Sequence, residues 1–190
     1  MAEIFFISDT HFGHKNCLAY DNRPFTSIEE CDEAMIDRWN SAVGERDHVY
    51  HLGDVSWYNA KKTIEILDRL HGIKHLIAGN HDSKILGNLD FCRKFLTIDD
   101  YLEINIGNNG IVLCHYPIPC YKNHFYGWYH FFGHVHNSFE HNMIAHFQNE
   151  MRDLYDKDSR MYNVGCMMPY MDYTPRTLDQ IKSVVLEDEQ

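Results

Sequence analysis

The chain has 190 residues, of which 44% are hydrophobic and 24% are charged, and these proportions are typical of an ordinary globular domain. Its formal net charge of -11 argues against non-specific binding to nucleic acids and to anionic membranes. The sequence shows neither a signal peptide nor the roughly 20 apolar residues of a membrane span, so we expect one domain over residues 1–190 in the cytoplasm.

The first half of the chain alternates between strand-like and helix-like segments. The strand-like runs are 4–7, 48–52 and 73–78, and the segments with helical spacing are 27–43 and 59–70. The first of these helices begins with a capping box formed by Ser27 and Glu30. Strands that are separated by helices indicate an α/β fold with a largely parallel sheet.

The second half has more strands and fewer helices between them. Residues 101–106 and 111–114 predict a hairpin around an Asn108-Asn109-Gly110 turn, and residues 129–132 predict a further strand. These strands predict a second, mixed sheet.

Residues 138–157 predict an added amphipathic helix with Asn137 and Glu140 at its cap. Its apolar stripe consists of Phe139, Met143, Phe147, Met151 and Leu154. We expect this helix to act as a lid or to provide the surface of a homodimer.

A polar side chain follows five of the predicted strands. In chain order these residues are Asp9 and His11, then Asp54, then Asn80, His81 and Asp82, then His115, then His134 and His136. The C-terminal ends of strands in an open α/β sheet line one crevice, so we expect these side chains to converge. Imidazoles mixed with carboxylates are ligands for zinc, manganese or iron. Individually, each residue could instead be a turn or surface residue.

Two of these motifs, Asp9-x-His11 and His134-x-His136, place their side chains two residues apart. In an extended chain this spacing brings both side chains to the same face. Each pair is therefore expected to chelate.

This ordered set of motifs resembles that of the calcineurin-like metallophosphoesterase superfamily. The segments "SDTHFGHKN", "NRPF" and "HYP" also resemble the small bacterial and phage branch of that superfamily. The resemblance runs from about residue 3 to the end of the chain. It implies a four-layer α/β/β/α sandwich, in which two mixed sheets are flanked by helices and carry a dinuclear centre at their strand ends.

The resemblance also implies a ligand set for two divalent metal ions. The ligands of the first ion would be Asp9, His11 and His136, those of the second Asn80, His115 and His134, and Asp54 would bridge both. Manganese is the expected metal, with iron, zinc and nickel as alternatives. His81 would be the catalytic acid that protonates the leaving group, although a turn-stabilising role is the alternative for this residue.

The expected activity is hydrolysis of a small phosphodiester or phosphomonoester by in-line attack of a hydroxide that bridges the two metals. The Asp54 motif, "GDVSWYN", lacks the Asp-Arg-Gly continuation of the protein-phosphatase branch, which argues against a phosphoprotein substrate. The same absence leaves the orienting partner of His81 open, with Asp82 as a candidate. His14 and Lys15 are candidate substrate contacts or, alternatively, a solvated helix start.

Two other functions compete with this hypothesis. A non-catalytic metal-binding or protein-binding module on the same fold is one, since a retromer subunit that resembles the superfamily has lost the catalytic histidine. A nuclease of the DNA-repair branch is the other, although the short acidic chain has no basic groove-forming run. Aromatic side chains at 121–129 could stack on a nucleobase or pack in the core.

Overall fold

The computed structural model describes residues 2–188, with side chains up to residue 183. In chain order the strands are β1 Ile4–Ile7, β2 His48–His51, β3 Ile73–Ile77, β4 Thr97–Asp99, β5 Tyr101–Ile106, β6 Asn109–Cys114, β7 Tyr129–Phe132, β8 Met161–Asn163 and β9 Arg176–Thr177. The helices are α1 Cys17–Tyr20, α2 Ile28–Ala42, α3 Ala60–Leu67, α4 Leu89–Cys92, α5 Phe139–Tyr155 and α6 Leu178–Asp188.

The strands form two mixed sheets. The first has the order β4-β3-β2-β1-β9, in which β1 to β4 are parallel and β9 is antiparallel to β1. The second has the order β5-β6-β7-β8, with an antiparallel β5–β6 hairpin and parallel pairing elsewhere. Together with the helices that flank them, these sheets form the α/β/β/α sandwich expected from the sequence.

The main core lies between the sheets and under α2. Phe6 of the first sheet meets Phe131 of the second edge-to-face, with ring centroids 4.7 Å apart, and both side chains are fully buried. The predicted apolar stripe of α2 is buried at all five positions: Ile28, Cys31, Met35, Ile36 and Trp39. The predicted α/β pattern is therefore confirmed by the packing of these elements.

The predicted capping box of α2 forms only in part. Ser27 Oγ accepts a hydrogen bond from Glu30 N at 3.1 Å, as expected for an N-cap. The Glu30 carboxylate, however, accepts from Thr26 N at 2.7 Å, one residue before the position that a capping box requires.

The second strand of the hairpin begins two residues earlier than predicted, at Asn109 instead of residue 111. Asn109 belongs to β6 and pairs with Ile106, so the turn consists of Gly107 and Asn108. Gly107 has a φ of 57°, which glycine adopts without steric cost, and it supplies the left-handed residue that a tight hairpin needs.

The predicted apolar stripe of α5 is largely exposed. The helix packs on a small cluster beneath it through Ile144 and Phe147, while Phe139, Met143 and Leu154 are 72%, 62% and 69% exposed. The N-cap is Ser138, which accepts from Glu140 N, and the prediction of a cap at Asn137 and Glu140 was wrong. The lid and homodimer roles of this helix stay predictions.

Among residues 2–188, no helix combines the length and the apolar character that crossing a bilayer would require.

Candidate metal centre

Loops at the C-terminal ends of five strands from both sheets meet at one edge of the sandwich. β1, β2 and β3 lead to Asp9, His11, Asp54, Asn80 and His81, whereas β6 and β7 lead to His115, His134 and His136. Hydrogen bonds tie these loops to one another. Asp9 N donates to Gly53 O at 3.0 Å, and His134 N donates to the Asp9 carboxylate at 3.1 Å. The convergence expected from the strand ends is therefore present.

One group of side chains is formed by Asp9, His11 and His136. His11 Nε2 lies 3.2 Å from His136 Nε2 and 3.8 Å from Asp9 Oδ1, and His136 Nε2 lies 3.6 Å from that same oxygen. These three atoms face a common point, as the ligands of one metal ion would.

A second group is formed by Asn80, His115 and His134. Asn80 Oδ1 lies 3.1 Å from His115 Nε2 and 3.0 Å from His134 Nδ1. His115 Nδ1 lies 2.7 Å from Leu52 O, and donation to this carbonyl leaves Nε2 free to face the group.

Asp54 lies between the two groups. Its Oδ2 atom is 3.7 Å from His11 Nε2 in the first group and 3.7 Å from His115 Nε2 in the second. The division into two groups joined by Asp54 is the one that the resemblance implied, and the ligand roles themselves stay predictions.

The two histidines of the His134-x-His136 motif face different groups. The expectation that this pair chelates one ion was wrong, and the extended backbone on which it rested is absent. The φ angles of His134 and His136 are 69° and 49°. The Asp9-x-His11 pair does face one point, again with left-handed φ angles of 55° and 48°.

Left-handed backbone is concentrated at the site. Five of the seven proposed ligands have positive φ: Asp9, His11, Asp54, His134 and His136. Only a few per cent of non-glycine residues adopt this conformation, which costs on the order of 1–3 kcal/mol per residue and collects at functional sites.

Glycines let the loops approach closely at two points. A Cβ atom on Gly79 would lie 2.3 Å from Asp54 Oδ1, and one on Gly133 would lie 2.3 Å from Asp9 Oδ2. Both carboxylates could keep their positions only if those residues remained glycine.

The charges of the site fit divalent cations. Asp9 and Asp54 are 0% and 2% exposed, and burial raises the pKa of Asp9 because its charged form is desolvated. Burial also lowers the pKa of His11 well below its usual range, which keeps the ring neutral as a metal ligand must be. Buried carboxylates and neutral imidazoles that face one another are stabilised when a cation lies between them.

Asp21 and Arg23 support the first group, and the sequence did not single them out for this role. His136 Nδ1 lies 2.7 Å from Asp21 Oδ1, and Arg23 Nε donates to Asp21 Oδ2 at 3.0 Å. Arg23 also donates to the carbonyl oxygens of Asp9 and Thr10, at 3.1 and 3.0 Å. Burial disfavours the charged form of the His136 ring. The carboxylates of Asp21 and Asp9 favour that form more strongly, so the pKa of His136 is raised. A carboxylate on Nδ1 orients the ring so that Nε2 faces the site.

Asp82 does not orient His81, so this prediction was wrong. The Asp82 carboxylate is buried and accepts three backbone hydrogen bonds, from Asp54 N at 2.8 Å, Gly79 N at 2.9 Å and Val55 N at 3.0 Å. It holds together the two loops that present Asp54 and Asn80.

His81 lies at the mouth of the site with its side chain 35% exposed. Its Nε2 atom is 3.8 Å from Asp54 Oδ2, and its ring meets the edge of Trp57 with centroids 4.4 Å apart. Trp57 is thus the neighbour that restricts the His81 ring.

The two candidate substrate contacts occupy different surroundings. His14 stacks on Trp57 with centroids 4.0 Å apart, and its Nδ1 atom lies 2.7 Å from Cys17 Sγ. His14 and Cys17 lie close enough to His11 for the three side chains to form another possible metal-binding group. Lys15 is exposed, and its side chain forms no hydrogen bond or ion pair with the described residues. Substrate contact by either residue stays a prediction.

The aromatic segment 121–129 divides between core and surface. Tyr121 and Tyr129 are buried, which agrees with core packing, whereas Phe125 and Tyr126 are 54% and 84% exposed.

The chain is similar to several known proteins. The family model of the calcineurin-like phosphoesterase superfamily domain matches residues 2–184. The uncharacterized protein MJ1445 of Methanocaldococcus jannaschii is 33% identical over 189 residues, which are 97% of this chain and 92% of that protein. The gene 66 protein of Mycobacterium phage L5 is 39% identical over 85 residues, 43% of this chain and 41% of that protein. The crystal structure of AQ665 from Aquifex aeolicus, a protein of unknown function, has a TM-score of 0.71 at 25% identity and covers 97% of this chain and 100% of its own.

Proposed function

The chain belongs to the calcineurin-like phosphoesterase superfamily, and from this premise we propose that it is a dinuclear metal-dependent hydrolase of a small phosphodiester or phosphomonoester. The observation that carries the proposal is the position of Asp54. Its Oδ2 atom lies within 3.8 Å of nitrogen atoms of His11, His115 and His81 and so joins both ligand groups to the proposed acid.

Seven side chains would hold the two ions, namely Asp9, His11, Asp54, Asn80, His115, His134 and His136. Two divalent ions, for which we propose manganese, supply an activated water and neutralise charge on the phosphoryl oxygens when they are bound. The two carboxylates among the seven ligands leave the loaded site positively charged, so it would attract a phosphate despite the chain's net charge of -11.

Residues of the chain itself orient the proposed ligands and would protonate the leaving group. Asp21 and the Leu52 carbonyl hold the rings of His136 and His115, so that both Nε2 atoms face the site. His81 would donate the proton that the departing oxygen needs. Its backbone N–H donates to Asp54 Oδ1 at 2.9 Å, while its imidazole lies at the edge of the site and makes no hydrogen bond with the described side chains.

The alternative is a non-catalytic metal-binding or protein-binding module on the same fold. All seven ligand residues and His81 are present in this chain, and this completeness favours an enzyme. A module of that kind would bind metal but would hydrolyse no phosphate ester.

The experiment compares His81→Ala with wild type on two diesters, one with an alkyl and one with a nitrophenyl leaving group. Loss of a general acid should lower the rate on the alkyl ester by about 10²–10⁴-fold and the rate on the nitrophenyl ester much less, because nitrophenolate leaves without a proton. His146→Ala, which removes an exposed histidine outside the site, is the control. Manganese content should stay the same in all three proteins.

Equal losses on both esters would mean that His81 binds or positions phosphate. Unchanged rates would assign it a structural role in its turn. Absence of any hydrolysis by manganese-loaded wild type across cyclic nucleotides, dinucleotides, nucleoside monophosphates and both diesters would favour the non-catalytic module.

A further inference from the structure

An open cavity of about 480 Å³ adjoins the metal centre on the side of His81. Its walls include Trp57, His81, Lys84, Ile85 and Asn88. Cavities of about 300–1,000 Å³ hold small organic molecules, so this one is large enough for part of a substrate. None of the seven proposed metal ligands lines it, so it is a separate compartment beside the ions.

The chemistry of hydrolysis decides which part of the substrate lies there. Water gives up one proton to solvent, and the oxygen of the resulting hydroxide bonds to phosphorus. The P–O bond to the alcohol breaks with its electron pair on the departing oxygen, and the acid proton moves to that oxygen. The alcohol must therefore leave on the side of the group that protonates it. Since His81 is both the proposed acid and a wall of the cavity, the cavity is where the alcohol portion would lie.

The cavity is positively charged in a chain that is strongly acidic. Among the residues that line it there is no aspartate or glutamate, and Lys84 is the one lysine or arginine. Lys84 forms no ion pair within the described part of the chain, and its Nζ atom lies 4.9 Å from the centre of the Trp57 ring. An ammonium group held over an aromatic face and free of acidic neighbours is available to an anionic ligand.

We infer that this cavity is the leaving-group subsite and that it selects substrates whose alcohol portion carries its own negative charge, such as a phosphate or a carboxylate. The inference rests on the proposed phosphoesterase activity and names the substrate class of that same site. Lys84 is its specificity-determining residue, and Trp57 holds the Lys84 ammonium in place.

The test uses two methyl aryl phosphodiesters with closely matched leaving groups. Both release a 4-nitrophenol, which carries a carboxylate at position 3 in one ester and an uncharged carboxamide in the other. Nitrophenolate needs little help from a proton, so the comparison isolates recognition of charge from acid catalysis. Wild type, Lys84→Gln and Lys157→Gln are compared after manganese loading. Lys157 is exposed in the loop after α5 and provides a control with the same change in net charge.

Wild type and Lys157→Gln should prefer the carboxylate ester, by about two- to fivefold in kcat/KM as expected for one partly exposed charge pair. The preference should appear mainly in KM and decline as salt is raised. Lys84→Gln should lose it. As a second measurement, the free carboxylate phenol should bind to metal-free wild type and Lys157→Gln more tightly than to Lys84→Gln by calorimetry.

A wild type without this preference, or a Lys84→Gln variant that retains it, would overturn the inference. If manganese-loaded wild type hydrolysed neither ester, the proposed function would fail. Binding of the phenol to the metal-free proteins would then decide separately whether Lys84 forms an anion site, and equal binding to all three would reject it.

Discussion

Replacement of Asp82 by asparagine should lower the free energy of unfolding by about 2 kcal/mol. The carboxylate accepts hydrogen bonds from Asp54 N and Gly79 N through Oδ2 and from Val55 N through Oδ1. Asparagine can keep two of these bonds through its single oxygen, but as neutral bonds that are each weaker by about 1 kcal/mol. Its NH2 group would face the third N–H, which leaves a buried donor unsatisfied at about 1–3 kcal/mol.

Desolvation acts in the opposite direction. Burial raises the pKa of Asp82 even though three backbone N–H groups bond its carboxylate, which means that the desolvation penalty of the charged form outweighs those bonds. A neutral amide avoids that penalty, which offsets the weakening of the two retained bonds. The expected change is therefore the cost of the unsatisfied buried donor, about 1–3 kcal/mol.

The assay is urea unfolding of metal-free protein at neutral pH, followed by circular dichroism. Asp90→Asn is the matched control, because Asp90 is exposed and, among the residues that the structure describes, its carboxylate bonds only to Arg93. It should change the free energy of unfolding by less than about 0.5 kcal/mol. Asp82→Asn should also bind manganese more weakly, since the loops that carry Asp54 and Asn80 lose their shared anchor.

A change below about 1 kcal/mol in Asp82→Asn would refute this reasoning, because a buried donor left without a partner cannot cost so little. If the stability were unchanged and the alkyl ester alone were hydrolysed more slowly, Asp82 would act on His81 after all.

Two further predictions concern metal content and acid stability. Wild type should bind near two equivalents of manganese by calorimetry. Asp54→Ala should weaken both sites together, and His115→Ala should weaken mainly one. Two tightly bound ions in Asp54→Ala would contradict a bridging role. Stability should fall between pH 6.5 and about 4, because burial lowers the pKa of His130 to about 4 and the unfolded chain therefore takes up a proton that the folded chain does not. Urea unfolding across this range should show that wild type loses about 3 kcal/mol of its free energy of unfolding through His130, and His130→Gln should lose less. An equal dependence of stability on pH in wild type and His130→Gln would contradict the prediction.

The elements that the sequence predicted are those with a repeating apolar pattern. Several side chains are buried in each of these elements, namely α2, β1, β2, β3 and β7. Their apolar pattern is therefore strong enough to be detected in the local sequence. The strands that were missed, β4, β8 and β9, have two or three residues each. β9 exists because Arg176 and Thr177 pair with Phe6 and Phe5 across the sheet, and no local pattern records such a contact.

The stripe of α5 shows a limit of the same signal. Helical spacing predicted an apolar face that includes Phe139, Phe147 and Leu154. The helix contacts the sandwich through Ile144 and Phe147, while Phe139 and Leu154 are exposed. Periodicity reveals that a helix has an apolar face, and it does not determine how much of that face the rest of the molecule can cover.

The residues of the site also fall into two classes, those that their position in the sequence identifies and those that only tertiary contacts identify. Convergence of the motif residues follows from their positions after strands, so it was predictable. The supporting residues Asp21, Arg23 and Trp57 lie in loops, where neither periodicity nor strand position marks them. The spacing of Asp21 and Arg23 alone could not show that one reaches His136 and the other the Asp9 carbonyl.

The motif spacing misled because neither motif is extended. His134 and His136 have positive φ angles and face different ligand groups. Asp9 and His11 also have positive φ angles and face the same group. Five such residues would cost several kcal/mol in total, at roughly 1 kcal/mol or more each. Hydrogen bonds from buried charged groups offset that cost, since Asp82 holds the Asp54 loop and Arg23 holds the Asp9 loop. The strained backbone and the hydrogen bonds that support it are therefore parts of one arrangement, which holds the two ligand groups apart.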